Sequence, residues 1–191
     1  MADSVAAILM ASGLSKRFGE RNKLLIPFKG KALARYTLEL VVKINFSAGI
    51  FFICSSNDVA LLAQDFEDVK VIRNSAPEKG RQESVRLGLK AVDAAYYLFF
   101  SCDQPFLDAI TVQRILDTRR QGCIVEPGYQ GKPGNPCLFS AAFREELLSL
   151  KEGEAPRIIK ARHPGSIINI EASSSLALED IDDEETLERL S

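Results

Sequence analysis

The amino-acid sequence predicts an α/β fold in which a mostly parallel sheet is covered by helices on both faces. Continuous apolar runs of strand length recur at 5–10, 50–54 and 96–100, and strands apolar on both faces belong to parallel sheets packed between helices. Segments with helical spacing separate these runs, so strand and helix alternate as in βαβ units. The 191 residues, 46% of them hydrophobic, suffice for one sizeable core, which predicts a single domain over 1–191.

In chain order, 5–10 opens the sheet and breaks off at a Gly/Ser-bearing loop. Residues 31–45 place apolar side chains at 33, 36, 40, 41 and 44, a helical stripe, and 50–54 is the next strand. The pattern repeats with a short helix at 58–66, a strand at 69–73 and a helix at 81–92 carrying Val85, Leu89 and Val92 on one face. A buried strand at 96–100, a helix at 108–121 and a strand at 123–126 follow. The Gly/Pro-rich stretch 127–136 reads as a rigid turn entering an edge strand at 137–139, with a short helix and another turn beyond. Ligands of such sheets sit at the carboxyl ends of the strands, and each motif below is expected there.

Lys and Arg number 24 against 26 Asp and Glu, a net charge of -2, so the bulk balance points to neither nucleic acid nor an anionic membrane. Any anion site must be local. Cys54, Cys102, Cys123 and Cys137 show no zinc spacing, so reduced, mostly buried thiols are expected. With no signal-peptide pattern at the start and no apolar run near about 18 residues, a soluble cytoplasmic protein is expected.

Five stretches carry chemistry. The first, 11–23, holds Ser12, Gly13, Ser15, Lys16, Arg17, Gly19, Arg21 and Lys23. Small residues let backbone N–H groups turn toward an anion, and the cations neutralise phosphate oxygens. Neither GxGxxG nor GxxxxGK followed by Ser or Thr is present, and a basic surface loop is the plainer alternative. In the second, Ser101-Cys102-Asp103-Gln104-Pro105 directly follows an apolar strand, where Asp103 either holds Mg2+ or caps a turn. The third, NSAPEKGRQESVRLGL at 74–89, puts Arg81 and Ser84 near a helix start, whose free N–H groups suit an anion or a base edge; a capping loop is the alternative. The fourth runs from Gly131 through Gly134-Asn135-Pro136 to Arg157 and His163. His163 is the sole histidine, and with no partner evident for a nucleophilic or metal mechanism its expected role is structural, with acceptor binding as the alternative. The fifth, 179–187, is acidic; 183–185 suits the cap and first turn of a C-terminal helix.

Met10-Ala11-Ser12-Gly13-Leu14-Ser15-Lys16-Arg17-Phe18-Gly19, with Lys23-Leu24-Leu25 after it, resembles the L-A-A-G-x-S-x-R-M-G signature and following lysine of nucleotidyltransferases of the molybdenum-cofactor type. Met10 and Ser12 are the departures. The third stretch resembles that family's N-x-x-x-x-x-G-x-x-x-S-V-x-x-G-L base-contacting segment and, locally, the Arg81-Gln82 and Ser84-Val85 region of methylerythritol-phosphate cytidylyltransferases. Asp103 stands where the family has its metal-binding D-Q-P or D-M-P aspartate. Gly134-Asn135-Pro136, Glu154-Ala155-Pro156-Arg157 and Arg162-His163-Pro164 occur in family order, with Pro156 replacing an Ala, and Asp180-Ile181-Asp182 resembles D-I-D-T-P-E-D with T-P replaced. The resemblance spans essentially the whole chain.

It implies a three-layer α/β/α, doubly wound fold of the nucleotide-diphosphate-sugar transferase type and a molybdenum cofactor cytidylyltransferase-like activity. Ala11, Ser12, Gly13, Ser15, Arg17, Lys23, Arg81 and Ser84 are then the nucleotide-binding residues. Asp103 and Asp182 hold Mg2+, Arg17, Lys23 and Asp103 serve catalysis, and Gly134, Asn135, Pro136, Arg157 and His163 line the acceptor side. The expected substrates are CTP, because Ser12 is bulkier than the glycine of guanylyl enzymes, and a phosphorylated acceptor such as molybdopterin. A molybdoenzyme apoprotein is a possible recipient. The alternatives are a GTP-dependent guanylyltransferase, a sugar-phosphate or methylerythritol-phosphate cytidylyltransferase, whose strand-end His and Arg are missing from SCDQP, and a non-catalytic module that carries cofactor to a molybdoenzyme.

Overall fold

The computed structural model describes residues 3–19 and 21–191. Its strands are β1 Val5–Ala11, β2 Pro27–Phe28, β3 Lys31–Ala32, β4 Ile50–Cys54, β5 Val69–Arg73, β6 Tyr96–Ser101, β7 Ile124–Tyr129, β8 Lys132–Pro133, β9 Cys137–Ser140 and β10 Ile167–Glu171. The helices are α1 Leu33–Val41, α2 Asn57–Leu61, α3 Arg81–Ala91, α4 Ala109–Thr118, α5 Arg144–Leu148, α6 Arg157–Arg162 and α7 Glu184–Leu190. The main sheet runs β10-β7-β9-β6-β1-β4-β5, with β8 attached to β7, while β2 and β3 form a separate hairpin. Its ladders are parallel except around β8 and β9.

The apolar strand runs follow from two covered faces. Val5, Ala7, Leu9 and Ala11 of β1 join the cluster containing Leu38 of α1, Val59 of α2 and Ile115 of α4. Ala6 and Ile8 face the other way, against Val85 and Leu89 of α3, Leu147 of α5 and Ile159 of α6. Alternate residues therefore serve different helical layers, and both sets must be apolar. Each fully buried aliphatic side chain contributes about 1.5–3 kcal/mol of transfer free energy. Gly88 lets α3 lie close on β1, since a Cβ there would stand 2.6 Å from Ile8 Cγ2.

Several expectations are corrected. β9 is an interior strand, antiparallel to β6 and to β7, because all four of its residues are buried. Its backbone is paired on both sides as well as covered on both faces, which places it inside the sheet. The face that α1 buries is Leu33, Ala34, Thr37, Leu38 and Val41, rotated from the 33/36/40/41/44 stripe. The helix ends early because Lys43 N–H and Ile44 N–H bond to the carbonyls of Leu40 and Val41, three residues back, in tight turns. The 58–66 helix likewise gives way after Leu61 to turns at Leu62, Ala63 and Gln64. The 108–121 helix is shorter, with Asp108 as its cap, accepting Thr111 N–H at 2.7 Å. The four cysteines are free thiols, Cys123 half-buried and the rest buried. No helix among the described residues is long and apolar enough to cross a membrane.

Candidate active site at the carboxyl ends of the central strands

The loop after β1 opens a cavity of about 480 Å³. Ala11 ends the strand inside the core and Ser12 is 4% exposed. Gly13 then emerges at the cavity wall, where an added Cβ would meet nothing within 4 Å, so backbone lies open to a ligand. Ser15 adopts a left-handed conformation, φ 50°, which an L-residue holds only when its surroundings fix it. Here its hydroxyl accepts Lys23 N–H at 3.1 Å and donates to Asn22 Oδ1 at 3.5 Å. A 3-10 turn, Lys16–Phe18, follows, and Phe18 anchors it in a cluster with Phe28, Leu33 and Ile181.

That cluster also brings in the C-terminal segment. Ile181 is fully buried, and its N–H donates to the carbonyl oxygen of Asp103 at 2.9 Å. Asp182 is thereby carried to the carboxyl end of β6 by a loop, not by a strand of its own. Asp183 caps α7 by accepting Thr186 N–H at 2.8 Å, as expected for 183–185. Lys23 Nζ lies 2.6 Å from Asp103 Oδ2 and 2.7 Å from Asp182 Oδ1, while Arg17 reaches Asp182 Oδ2 at 3.4 Å. Burial alone would lower the Lys23 pKa, but attraction and hydrogen bonds from Asp103 and Asp182 outweigh it and hold the ammonium above its ordinary value. Asp180 lies behind this group. Burial, then repulsion from Asp103 and Asp182, pushes its carboxyl up to about 7, and its Oδ1 is buried without a partner.

The donor set fits a hard divalent cation. Two carboxylates near enough to share one ammonium can share one metal ion, and Asp103 Oδ1 is buried without a partner. Among the described residues no cluster of three or more His, Cys, Asp or Glu forms a ready cage. Two protein carboxylates leave the other positions of such a cation to phosphate oxygens and water.

The cavity floor is polar and preorganised. Asn74, the first residue after β5, is 1% exposed; its Nδ2 donates to Ser12 Oγ at 3.0 Å, and its Oδ1 accepts Ala76 N–H at 3.0 Å. Ser12 Oγ and Ser84 Oγ are 2.5 Å apart. Ser84 and Arg81 enter the cavity from the first turn of α3.

Thus Ser12, Gly13, Ser15, Arg17, Lys23, Arg81, Ser84, Asp103 and Asp182 line one cavity, with Leu14, Pro77, Glu78, Gly80 and Cys102 among their neighbours. Ala11 lies behind the wall in the core. Gly134, Asn135, Pro136, Arg157 and His163 are not among the lining residues. Gly134 stands against Leu178, Asn135 and Pro136 form the turn into β9, Arg157 is an exposed first residue of α6, and Pro156 sits at that helix's cap, where a proline is tolerated. His163 Nε2 is 2.8 Å from Glu146 Oε1, with its ring edge-on to Phe143, a tie between α5 and α6. Asn74 and Asp180 fall within motifs the sequence singles out, but neither is given a role there. The position of Asn74 right after a strand, and the Asp-x-Asp spacing of Asp180, were the available signals.

Residues 7–166 match the model of the MobA-like NTP transferase domain. The chain is 26% identical over 196 residues to nicotine blue oxidoreductase of Paenarthrobacter nicotinovorans, covering 97% of this chain and 96% of that protein. It is 24% identical over 201 residues to molybdenum cofactor guanylyltransferase of Ralstonia pickettii, covering 97% and 95%. A 2-C-methyl-D-erythritol 4-phosphate cytidylyltransferase of Dehalococcoides mccartyi is 25% identical over 122 residues, covering 62% and 54%. Among solved structures, a nucleotidyl transferase from Methanothermobacter thermautotroptrophicus superposes with a TM-score of 0.85 at 20% identity, covering 98% and 96%. A Mycobacterium tuberculosis H37Rv protein solved in complex with manganese gives 0.73 at 22% identity, covering 98% and 97%. Fold, cavity position and the matched span agree, and the chain belongs to the MobA-like NTP transferase domain family.

Proposed function

We propose that this protein transfers the nucleoside monophosphate of CTP to the terminal phosphate of a phosphorylated acceptor, molybdopterin, with release of pyrophosphate. The observation that carries this reading is the meeting of Lys23, Arg17, Asp103 and Asp182 beside the open turn at Gly13. Reactions at phosphorus of this kind need positioning and charge neutralisation more than covalent help from the protein. Backbone from Gly13 onward cradles the triphosphate, Arg17 neutralises the departing pyrophosphate, and Lys23 takes the alpha-phosphate. Asp103 and Asp182 hold the divalent cation, Mg2+. Bound there, it would supply Lewis-acid polarisation and neutralise charge developing on the phosphates.

Ser12 supports CTP over GTP, because its Cβ and hydroxyl are fixed by Asn74 and Ser84 and crowd the larger base. The turn at Gly134, Asn135 and Pro136, with Arg157 and His163, is assigned to the acceptor on resemblance, and a molybdoenzyme apoprotein is the proposed recipient of the product. The names of two relatives point to other readings: guanylyltransferase to GTP as donor, and nicotine blue oxidoreductase to an oxidoreductase activity. A non-catalytic carrier would retain Gly13 and Arg17 without needing Asp103. Incubation with each triphosphate, Mg2+ and molybdopterin, with products identified by mass, decides between the two donors and between nucleotidyl transfer and its absence. A cytidylylated pterin and pyrophosphate are expected. A guanylylated pterin moves the donor to GTP, and absence of pyrophosphate with every triphosphate overturns nucleotidyl transfer.

A further inference from the structure

We propose that Lys23 is a resident counter-cation of the Asp103–Asp182 pair, which it must leave for the nucleotide's phosphate before a divalent cation takes those carboxylates, so that nucleotide and metal bind cooperatively. This rests on the reading of the cavity as a triphosphate site with a metal at the two acids. One ammonium serves both carboxylates, at 2.6 and 2.7 Å, and the side chains of Lys23 and Asp103 are only 15% and 13% exposed. Lys23 and Asp103 are largely withdrawn from water, whereas Asp182 is half exposed and is also reached by Arg17, and two carboxylates held this close repel unless a cation lies between them. A metal ion ligated by the same oxygens sits at about 2.0–2.6 Å from them, inside the space the ammonium occupies. The two cations therefore compete.

A triphosphate reverses the balance. Lys23 lines the cavity together with Gly13 and Ser15, so phosphate oxygens offer its ammonium a second anionic partner within reach of its flexible four-carbon stem. Its backbone stays tied, N–H to Ser15 Oγ at 3.1 Å, and only the side chain swings. Such coupling is reciprocal: metal improves nucleotide binding by the same factor as nucleotide improves metal binding.

The test is Mn2+ binding to the full chain, followed by the electron paramagnetic resonance signal of free Mn2+, with and without a non-hydrolysable CTP analogue. Without nucleotide, Lys23→Met and Lys23→Gln are expected to bind Mn2+ about tenfold more tightly than wild type, as fits loss of a competing charge-assisted bond. With the analogue, that gap closes. Arg17→Gln removes the same charge but touches only Asp182, at 3.4 Å, and is expected to change Mn2+ affinity about twofold or less. Thermal melts confirm that each variant is folded, and two different substitutions at Lys23 guard against loss of one. Equal Mn2+ affinity of wild type and either Lys23 variant without nucleotide overturns the proposal. Equal gains for Arg17→Gln and Lys23→Met overturn it too, by reducing the effect to net charge. Failure of wild type to bind Mn2+ even with the analogue removes the metal reading beneath it.

Discussion

Gly88→Ala tests how closely α3, which presents Arg81 and Ser84 to the cavity, must lie on β1. The added Cβ would stand 2.6 Å from Ile8 Cγ2, 2.9 Å from Cδ1 and 3.2 Å from Cγ1, whereas apolar carbons rest at about 3.5–4.0 Å. Ile8 has little freedom to yield: it is fully buried, with Phe51 and Phe99 as its register neighbours on either side. The helix must back away by about 1 Å, or Ile8 must leave its rotamer. Overpacking of this kind costs about 1–3 kcal/mol, partly offset by about 1 kcal/mol of better helix propensity for Ala over Gly. With three Ile8 carbons at 3.2 Å or less the clash belongs to the upper part of that range, about 2–3 kcal/mol, so the expected net loss is about 1–2 kcal/mol, measured by urea unfolding, with Tm falling about 2–4 °C per kcal/mol for a chain of this size. Nucleotide KM should rise with it, since Arg81 and Ser84 move with the helix. Ile8→Ala alone costs about 2–5 kcal/mol, but in the double variant the new methyl occupies part of the space Ile8 vacates, so the two losses do not add. A Gly88→Ala protein as stable as wild type, or strictly additive losses, would refute the close-approach argument.

Asp103→Asn, which removes one charge from the carboxylate pair beside Lys23, is expected to lower pyrophosphate release about 10²-fold or more; unchanged release with Mg2+ and acceptor present would count against the metal role. Wild type is expected to bind CTP about tenfold or more tightly than GTP, a steric difference of about 1.4 kcal/mol or more, and Ser12→Gly to narrow the gap; titration with both nucleotides in Mg2+ checks it, and equal wild-type affinities sink the steric argument. Asp180→Asn addresses pH. A carboxyl pushed up to about 7 keeps its proton in the folded state between about pH 4 and 7 while the unfolded chain has lost it, so its contribution to stability falls as pH rises through that window and folding is penalised above it. The variant is therefore expected to gain about 1–3 kcal/mol over wild type at pH 8 in EDTA, and nothing near pH 4. Equal denaturant midpoints for both proteins at pH 8 would contradict this.

Much of the fold was legible because its signals are local. The apolar runs of β1, β4 and β6 announce strands covered on both faces, Asp183 is a recognisable cap, and small and basic residues after β1 mark the anion-facing loop. Strand identity was read more securely than helix length, since i→i−3 turns that end α1 and α2 leave no clear residue signature. What only the tertiary structure decided are relations between segments distant in sequence. β9 lies inside the sheet rather than at its edge, because its buried residues pair with both β6 and β7. Asp182 meets Asp103 through the buried Ile181 and one backbone hydrogen bond. Asn74 reaches Ser12 and Ser84 beneath the cavity. A sequence by itself determines which faces are apolar and which turns are flexible, because these depend on neighbours along the chain. Which strand lies beside which, and so which charges share a site, is decided by how two apolar sheet faces are covered at once, and that balance exists only when the whole core packs.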